Sequence, residues 1–162
     1  MKIYEIKQAL GLRAYNSALA LVLTLPSICA KVEFDDIKED SRKYIAWFNK
    51  YATNKFTFKT NRIPDGKPSE FITIDGDTCY KLRCAVLHAG NFETHSCKYS
   101  KITIHGHDQN GEFFEHEKYK DGIANIDINK FCDLLCSAVE EYYDSFEDKS
   151  KFNIDNVLVL DW

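Results

Sequence analysis

The sequence predicts an α+β protein that is mostly α, built as a helical bundle with a small antiparallel β-sheet inserted after the third helix. Two features lead to this prediction. Apolar residues recur at helical spacing over four separate stretches of the chain. After the third stretch the period changes to strand-like alternation, in KITIHGH and GEFFEHE on either side of the turn-forming DQNG. With 162 residues, 44% of them hydrophobic, we expect one domain covering residues 1–162.

The first predicted helix runs from about Gly11 to Ala30. Its apolar stripe is broad, so we expect burial on most sides, and Pro26 should kink or end it. Glu5 and Gln8 interrupt what would be the positive leader of a secretory signal, and the apolar run ALALVLTL is too short to span a bilayer. We therefore predict a buried helix in a cytoplasmic protein without a membrane segment.

The second predicted helix begins at a cap formed by Asp40 or Ser41 and closes near Ala52. The stretch that follows, from Lys55 to Lys67, is predicted to be an exposed loop because it contains the turn signal PDG. Its cations and aromatic rings are the pairing that binds single-stranded RNA, by neutralising phosphates and stacking on bases, although an ordinary solvated loop has the same composition. The candidate RNA-binding residues are Lys55, Phe56, Phe58, Lys59 and Arg62.

The third predicted helix starts near Asp75 or Asp77 and ends where Gly90 can adopt a left-handed conformation. In the hairpin predicted after it, one face carries histidines, and the opposite face carries isoleucines and Phe113. Clustered imidazoles can hold zinc, but a half-solvated hairpin also needs a polar face. We predict no metal and no cofactor, and the residues that would form a metal site are His105, His107 and His116.

The last predicted helix follows a short strand near residues 123–126 and is capped by Asp127. The tail NVLVLDW is predicted to form a final strand. The helix is expected to bury Ile128, Phe131, Leu135, Tyr142 and Phe146. The six cysteines include no CxxC pair and lie mostly in helical apolar patterns, so we expect reduced thiols that behave as small hydrophobic residues.

The third helix contains the segment YKLRCAVLHAGN, in which four residues separate Arg83 from His88. Cleaving RNA without a metal requires a group that moves a proton off the 2′-hydroxyl and a fixed cation that holds the phosphate. Histidine and arginine supply these two parts. On a regular helix the two residues lie about 140° apart, because each residue turns the helix by about 100°. They can act together only if the helix frays or bends before Gly90, or if a second subunit completes the pair across a two-fold axis.

This segment resembles the Arg-x(4–6)-His motif of the HEPN superfamily, over roughly fifteen of the 162 residues. The resemblance implies an RNA-binding, metal-independent endoribonuclease, a hydrolase that acts as a toxin or a defence component. It also implies a homodimer with facing motifs, and an antitoxin-like protein is a further candidate partner. His88 would be the general base or acid, Arg83 the phosphate clamp and Asn91 a supporting residue. Many members carry Asn, Asp or His directly after the arginine, where this chain has Cys84.

Other interpretations of the same residues stay open. A HEPN-like module with an incomplete site would bind nucleotide, RNA or a partner protein without cutting. Arg83 could instead pair with a carboxylate while His88 caps the C-terminus of the helix. Cys84 and His88 stand four apart and would share a helical face, but no third residue that would orient a thiolate–imidazole pair can be named. Because 21 basic residues face 25 acidic ones, any RNA binding must rest on a local patch.

Overall fold

The computed structural model describes residues 2–59, 71–90, 101–105, 119–120, 123–145 and 152. Within them the protein is mostly helical. The helices are α1 (Ile3–Gly11), α2 (Tyr15–Val22), α3 (Leu25–Glu33), α4 (Asp40–Tyr51), a 3-10 turn (Thr53–Phe56), α5 (Gly76–Cys84), a π-helical turn (Ala85–Ala89) and α6 (Ile128–Asp144). The strands are β1 (Thr57–Lys59), β2 (Phe71–Thr73), β3 (Lys101–His105), β4 (Tyr119–Lys120) and β5 (Ile123–Asp127).

The single first helix predicted from Gly11 to Ala30 is wrong in extent. Gly11 is the last residue of α1, and Arg13 then takes a left-handed conformation with φ 57°. The chain breaks again between α2 and α3, with Pro26 in the first turn of α3 rather than at a helix end. Proline is favoured in a first turn because the N–H that it lacks would have no helical partner there. Two short helices, α2 and α3, therefore replace the one long helix, and α1 precedes them.

The consecutive helices α2 and α3 form the most apolar helical stretch in the described part of the chain. Together they span Tyr15–Glu33, 19 residues that are long and apolar enough to cross a membrane by length and composition alone. This apolar stretch is longer than the run ALALVLTL, which by itself is too short to span a bilayer. Core helices of soluble proteins meet the same criteria, and Leu19, Val22, Leu25 and Ala30 are buried in the bundle. The stretch is consistent with a soluble protein.

The core of the bundle is aromatic and is centred on α4. Tyr44, Trp47 and Phe48 of this helix have no exposed surface, as their helical spacing predicts. The ring of Trp47 meets Tyr142 of α6 edge-on, with centroids 5.5 Å apart. The predicted end of the helix near Ala52 is confirmed, but its predicted cap is not. Asp40 lies inside the first turn, after Glu39, and no side chain caps that end.

The strands form two small groups. β1 pairs antiparallel with β2 just before α5, whereas β3 pairs parallel with β5, which in turn pairs antiparallel with β4. The sheet after the third helix is therefore mixed, and the expectation of a purely antiparallel sheet is wrong. The predicted partner strand GEFFEHE and the tail NVLVLDW lie outside the described residues.

The last helix follows its prediction closely. The Asp127 carboxylate accepts a hydrogen bond from the Lys130 backbone N–H at 2.8 Å and so caps α6. The predicted buried residues Ile128, Phe131, Leu135 and Tyr142 are buried, and Phe146 lies outside the described residues. Among the described cysteines all thiols are free, and Cys29, Cys79, Cys132 and Cys136 are buried. Burial raises the pKa of Cys29 and Cys79 to about 12, so these thiols pack as neutral groups.

Candidate functional site

The start of α5 is fixed by its own cap and by two contacts with α4. The Asp75 carboxylate accepts from the Thr78 backbone N–H at 2.8 Å, which confirms this residue as the cap of the helix. The Gly76 N–H donates to the Asn49 side chain at 2.7 Å. A Cβ atom on Gly76 would stand 2.5 Å from the Ile45 carbonyl oxygen, so only glycine allows this approach. The contacts set the direction of α5 before Arg83.

One face of α5 is buried against the bundle. Cys79 and Leu82 have no exposed surface, and the Cys79 sulfur lies 3.3 Å from the hydroxyl of the buried Tyr44. The Tyr44 and Tyr80 rings meet edge-on with centroids 5.4 Å apart. Because these residues occupy the buried face, Arg83 lies at the boundary between core and solvent, where it is half-buried.

The helix widens after Cys84 into a π-helical turn over Ala85–Ala89. The turn ends at Gly90, which has φ 64°, so the predicted left-handed stop at this glycine is confirmed. The Gly90 N–H donates to the Ala85 carbonyl, five residues earlier. A bond of this i to i+5 type places residues five apart above one another, where an α-helix stacks residues four apart.

The π turn brings Arg83 and His88 together within one chain. Their Nη1 and Nε2 atoms are 3.0 Å apart, although a regular helix would separate the residues by about 140°. Of the two expected ways of joining the pair, distortion of the helix before Gly90 is the one found within the chain, whereas the family resemblance had favoured completion by a second subunit. A guanidinium can only donate, so a hydrogen bond across this contact requires Nε2 to accept, which the tautomer with its proton on Nδ1 allows. His88 is exposed, and its Nδ1 atom is on the side of the ring away from Arg83.

Arg83 is held by groups other than a carboxylate. Its guanidinium carbon lies 5.8 Å from the centroid of the Tyr80 ring, and Nη1 lies 3.9 Å from the Cys84 sulfur. No ion pair forms between Arg83 and any acidic residue in the described part of the chain. The carboxylate partner considered from the sequence is thus not found there. The Nε atom is buried and finds no hydrogen-bond acceptor among the described residues.

The surroundings of the pair keep the neighbouring phenol neutral. Burial is the largest cause that raises the pKa of Tyr80, the neighbouring Cys84 adds to it, and the Arg83 cation opposes them. Tyr80 therefore offers Arg83 an uncharged ring. In the described part of the chain Cys84 interacts with Tyr80 and Arg83, so the thiolate–imidazole pair with His88 gains no support.

The predicted RNA-binding loop is partly core. Phe56 is 1% exposed and packs between Phe48 and Phe131, with ring centroids 5.3 and 5.1 Å away. The prediction that it stacks on a base is wrong, because exposing it would break the core. Lys55 donates to the Glu141 carboxylate at 2.7 Å, so its charge is already paired. Phe58 and Lys59 lie in β1, and Arg62 falls outside the described residues.

The remaining predicted site residues are not placed by the structure. Asn91, His107 and His116 lie outside the described residues, and His105 is described only as part of the β3 backbone. Among the side chains that are described, no three His, Cys, Asp or Glu residues come together as a metal site would require. Tyr80 is the residue at the site that the sequence interpretation missed. Its position three residues before Arg83 on one helix was the available signal.

The chain matches no protein-family model, no curated protein and no solved structure. The fold and the site define a mostly helical protein with an arginine and a histidine in contact at the C-terminal end of one helix. Such a pair can bind an anion and can accept or donate a proton beside it.

Proposed function

We propose that this chain is a HEPN-like RNA-binding protein that acts as a metal-independent endoribonuclease. The observation that supports the proposal is the 3.0 Å contact between Arg83 and His88, which joins the two parts of the Arg-x4-His motif in one chain. A neutral imidazole is the form that can take a proton from a 2′-hydroxyl. A guanidinium is the side chain best suited to a phosphodiester, because it donates in a planar fork.

The proposed reaction is transesterification followed by release of the 5′-hydroxyl strand. Arg83 turns from His88 Nε2 to the phosphate, and the freed Nε2 takes the 2′-hydroxyl proton. The 2′-oxygen attacks phosphorus, and the bond from phosphorus to the 5′-oxygen breaks. Arg83 stabilises the charge that builds on the non-bridging oxygens. A proton returns to the 5′-oxygen, and a 2′,3′-cyclic phosphate remains. Asn91 would assist at the phosphate, as the motif resemblance implies.

The protein is proposed to work as a cytoplasmic homodimer with facing motifs, in a toxin or defence role with an antitoxin-like partner. Since each chain holds its own Arg83 and His88 together, each subunit carries a complete pair. Co-folding an Arg83→Gln chain with a His88→Ala chain tests this arrangement. The mixed dimer has no complete pair and should stay inactive. Recovery of activity would mean that the pair forms between subunits.

Cleavage of total and transfer RNA in EDTA tests the proposed activity. The wild type should leave 2′,3′-cyclic phosphate ends, and the His88→Ala and Arg83→Gln variants, purified identically, should not. Removing a general base or a charge-stabilising donor costs about 10²- to 10³-fold in rate. Unchanged melting temperatures of both variants would show that the loss is chemical. Cleavage by His88→Ala at the wild-type rate would refute the role of His88.

A second candidate, a non-catalytic HEPN-like module that binds nucleotide, RNA or protein, is favoured by one specific observation. The Nε2 lone pair of His88 is already occupied by Arg83, and Cys84 stands where many family members have a polar residue. Retarded migration of RNA on a gel without any cleavage would support this candidate. If Arg83→Gln abolished that binding, the same arginine would serve as the anion contact.

A further inference from the structure

Tyr80 links the core to the candidate site. Its ring meets that of the fully buried Tyr44 at 5.4 Å, and Tyr44 is in turn fixed by its hydroxyl contact with Cys79 at 3.3 Å. On its other side the Tyr80 ring lies 5.8 Å from the guanidinium carbon of Arg83. A continuous series of contacts thus runs from the centre of the bundle to His88.

The buried Nε atom of Arg83 explains why an aromatic ring is needed there. Among the described residues this N–H has no acceptor, so the cation has lost water without gaining a hydrogen bond at that atom. The face of an aromatic ring attracts a cation through its quadrupole, more strongly when the cation is partly desolvated. Tyr80 offers such a ring, and its neutral phenol adds no competing charge.

We infer that Tyr80 is a positioning residue that holds the Arg83 guanidinium so that Nη1 reaches His88 Nε2 and fixes the imidazole as the Nδ1-protonated tautomer. The consequence of this positioning for catalysis rests on the proposed function. Without the ring, Arg83 would turn toward water, and His88 would lose the donor that selects one tautomer.

The test uses two groups of Tyr80 substitutions in the full-length protein. Tyr80→Phe keeps the ring and removes the hydroxyl. Tyr80→Leu and Tyr80→Met both remove the ring, and Met fills more of its volume in case the Leu variant folds poorly. Tyr15→Leu is the matched control, because Tyr15 is also a half-buried tyrosine packed against the core but lies on α2.

Nitrogen NMR of the imidazole rings reads the tautomer directly, with His88 assigned by its absence in His88→Ala. Wild type, Tyr80→Phe and Tyr15→Leu should show Nδ1 protonated and Nε2 as a hydrogen-bond acceptor. Tyr80→Leu and Tyr80→Met should resemble Arg83→Gln, with roughly a tenfold loss of preference for that tautomer, given the strength of a cation–π contact. A wild-type pattern in both ring-deletion variants would overturn the inference. A pattern like Arg83→Gln in Tyr80→Phe would do so as well, because the hydroxyl rather than the ring would then hold Arg83.

The NMR result separates this inference from the proposed function. If the wild type cleaves RNA, Tyr80→Leu should lower kcat about tenfold while Tyr80→Phe keeps it. A wild-type kcat in Tyr80→Leu would overturn the catalytic consequence. If the wild type does not cleave RNA, the proposed ribonuclease fails, and the tautomer measured in the Tyr80 variants still decides whether the ring holds Arg83.

Discussion

The Glu33 carboxylate, at the end of α3, joins three helices through hydrogen bonds. One oxygen accepts from the Lys50 ammonium at 2.5 Å and from the Tyr51 hydroxyl at 2.6 Å. The other accepts from the Tyr142 hydroxyl at 3.2 Å. The Glu33 side chain is only 14% exposed. Replacing Glu33 with Gln keeps the shape and removes the charge, so the change tests what the charge contributes to the bundle.

The expected loss follows from the two tyrosine contacts. A hydrogen bond to a charged group contributes about 1.5–3 kcal/mol, and a neutral one about 0.5–1.5 kcal/mol. Each tyrosine should therefore lose up to about 1 kcal/mol, less at the longer contact with Tyr142. The Lys50 side chain is 54% exposed, so its ion pair adds little. We expect Glu33→Gln to lower the free energy of unfolding by about 1–2 kcal/mol.

Thermal unfolding followed by circular dichroism measures this loss. For a chain of this length, 1 kcal/mol corresponds to about 2–4 °C in Tm, so the variant should melt roughly 2–8 °C lower. Glu39→Gln is the matched control, because Glu39 pairs with Arg42 at 2.7 Å while both side chains are largely exposed. Its Tm should stay close to that of the wild type. Equal melting temperatures for the two variants would refute the reasoning.

The pH dependence gives an independent check with a definite sign. Burial raises the pKa of Glu33, but the hydrogen bonds from Lys50, Tyr51 and Tyr142 and the Lys50 charge outweigh it and hold the pKa below the ordinary value of 4.5. A lowered pKa in the folded state contributes stability above the ordinary value, and that stability is lost as the pH falls through the folded value. The difference between wild type and Glu33→Gln should therefore be full at pH 7 and shrink in acid. A difference that persisted unchanged would contradict this assignment.

Two further predictions concern the glycines around α5. Gly76→Ala places a Cβ atom 2.5 Å from the Ile45 carbonyl oxygen, so the backbone must move. We expect this to lower the free energy of unfolding, measured by chemical denaturation, by about 1–3 kcal/mol. An unchanged denaturation midpoint would mean that the two helices do not approach so closely. Gly90→Ala has free space but forces alanine to φ 64°, and should cost about 1–2 kcal/mol. Its control is Gly11→Ala, also in free space on α1 without a positive φ, which should be neutral or stabilise by up to about 1 kcal/mol.

The residues that sequence predicted well are those whose structure depends on local chemistry. Asp75 and Asp127 are helix caps, and Gly90 is a left-handed stop, because each role is fixed by the residue and its next few neighbours. The break at Arg13 was missed because a positive φ at a residue other than glycine has no strong sequence signal. Pro26 is compatible with either a helix end or a helix start, and only packing decides between them.

The errors in the sheet and the loop arise from contacts between residues distant in sequence. The sequence suggested antiparallel pairing alone, whereas β3 takes β5 as a parallel partner, with Lys101 opposite Ile123. Parallel pairing needs a crossover, so no local pattern reveals it. Phe56 looks like an exposed aromatic residue among cations, but the 3-10 turn directs it between α4 and α6. Composition alone could not distinguish a core ring from one that stacks on bases.

The contact between Arg83 and His88 at the candidate site depends on one extra residue in a helical turn. In an α-helix the residue stacked over Arg83 would be Leu87, four positions later, and His88 would point about 100° away from it. In the π turn the residue over Arg83 is His88, at 3.0 Å. The same sequence therefore places Arg83 beside a leucine in an α-helix or beside a histidine in a π turn. Which of the two occurs depends on how the backbone of five residues is hydrogen-bonded. Single π turns are rare in helices, and those that occur are frequently at functional sites. The distortion therefore supports a functional role for the pair independently of the motif.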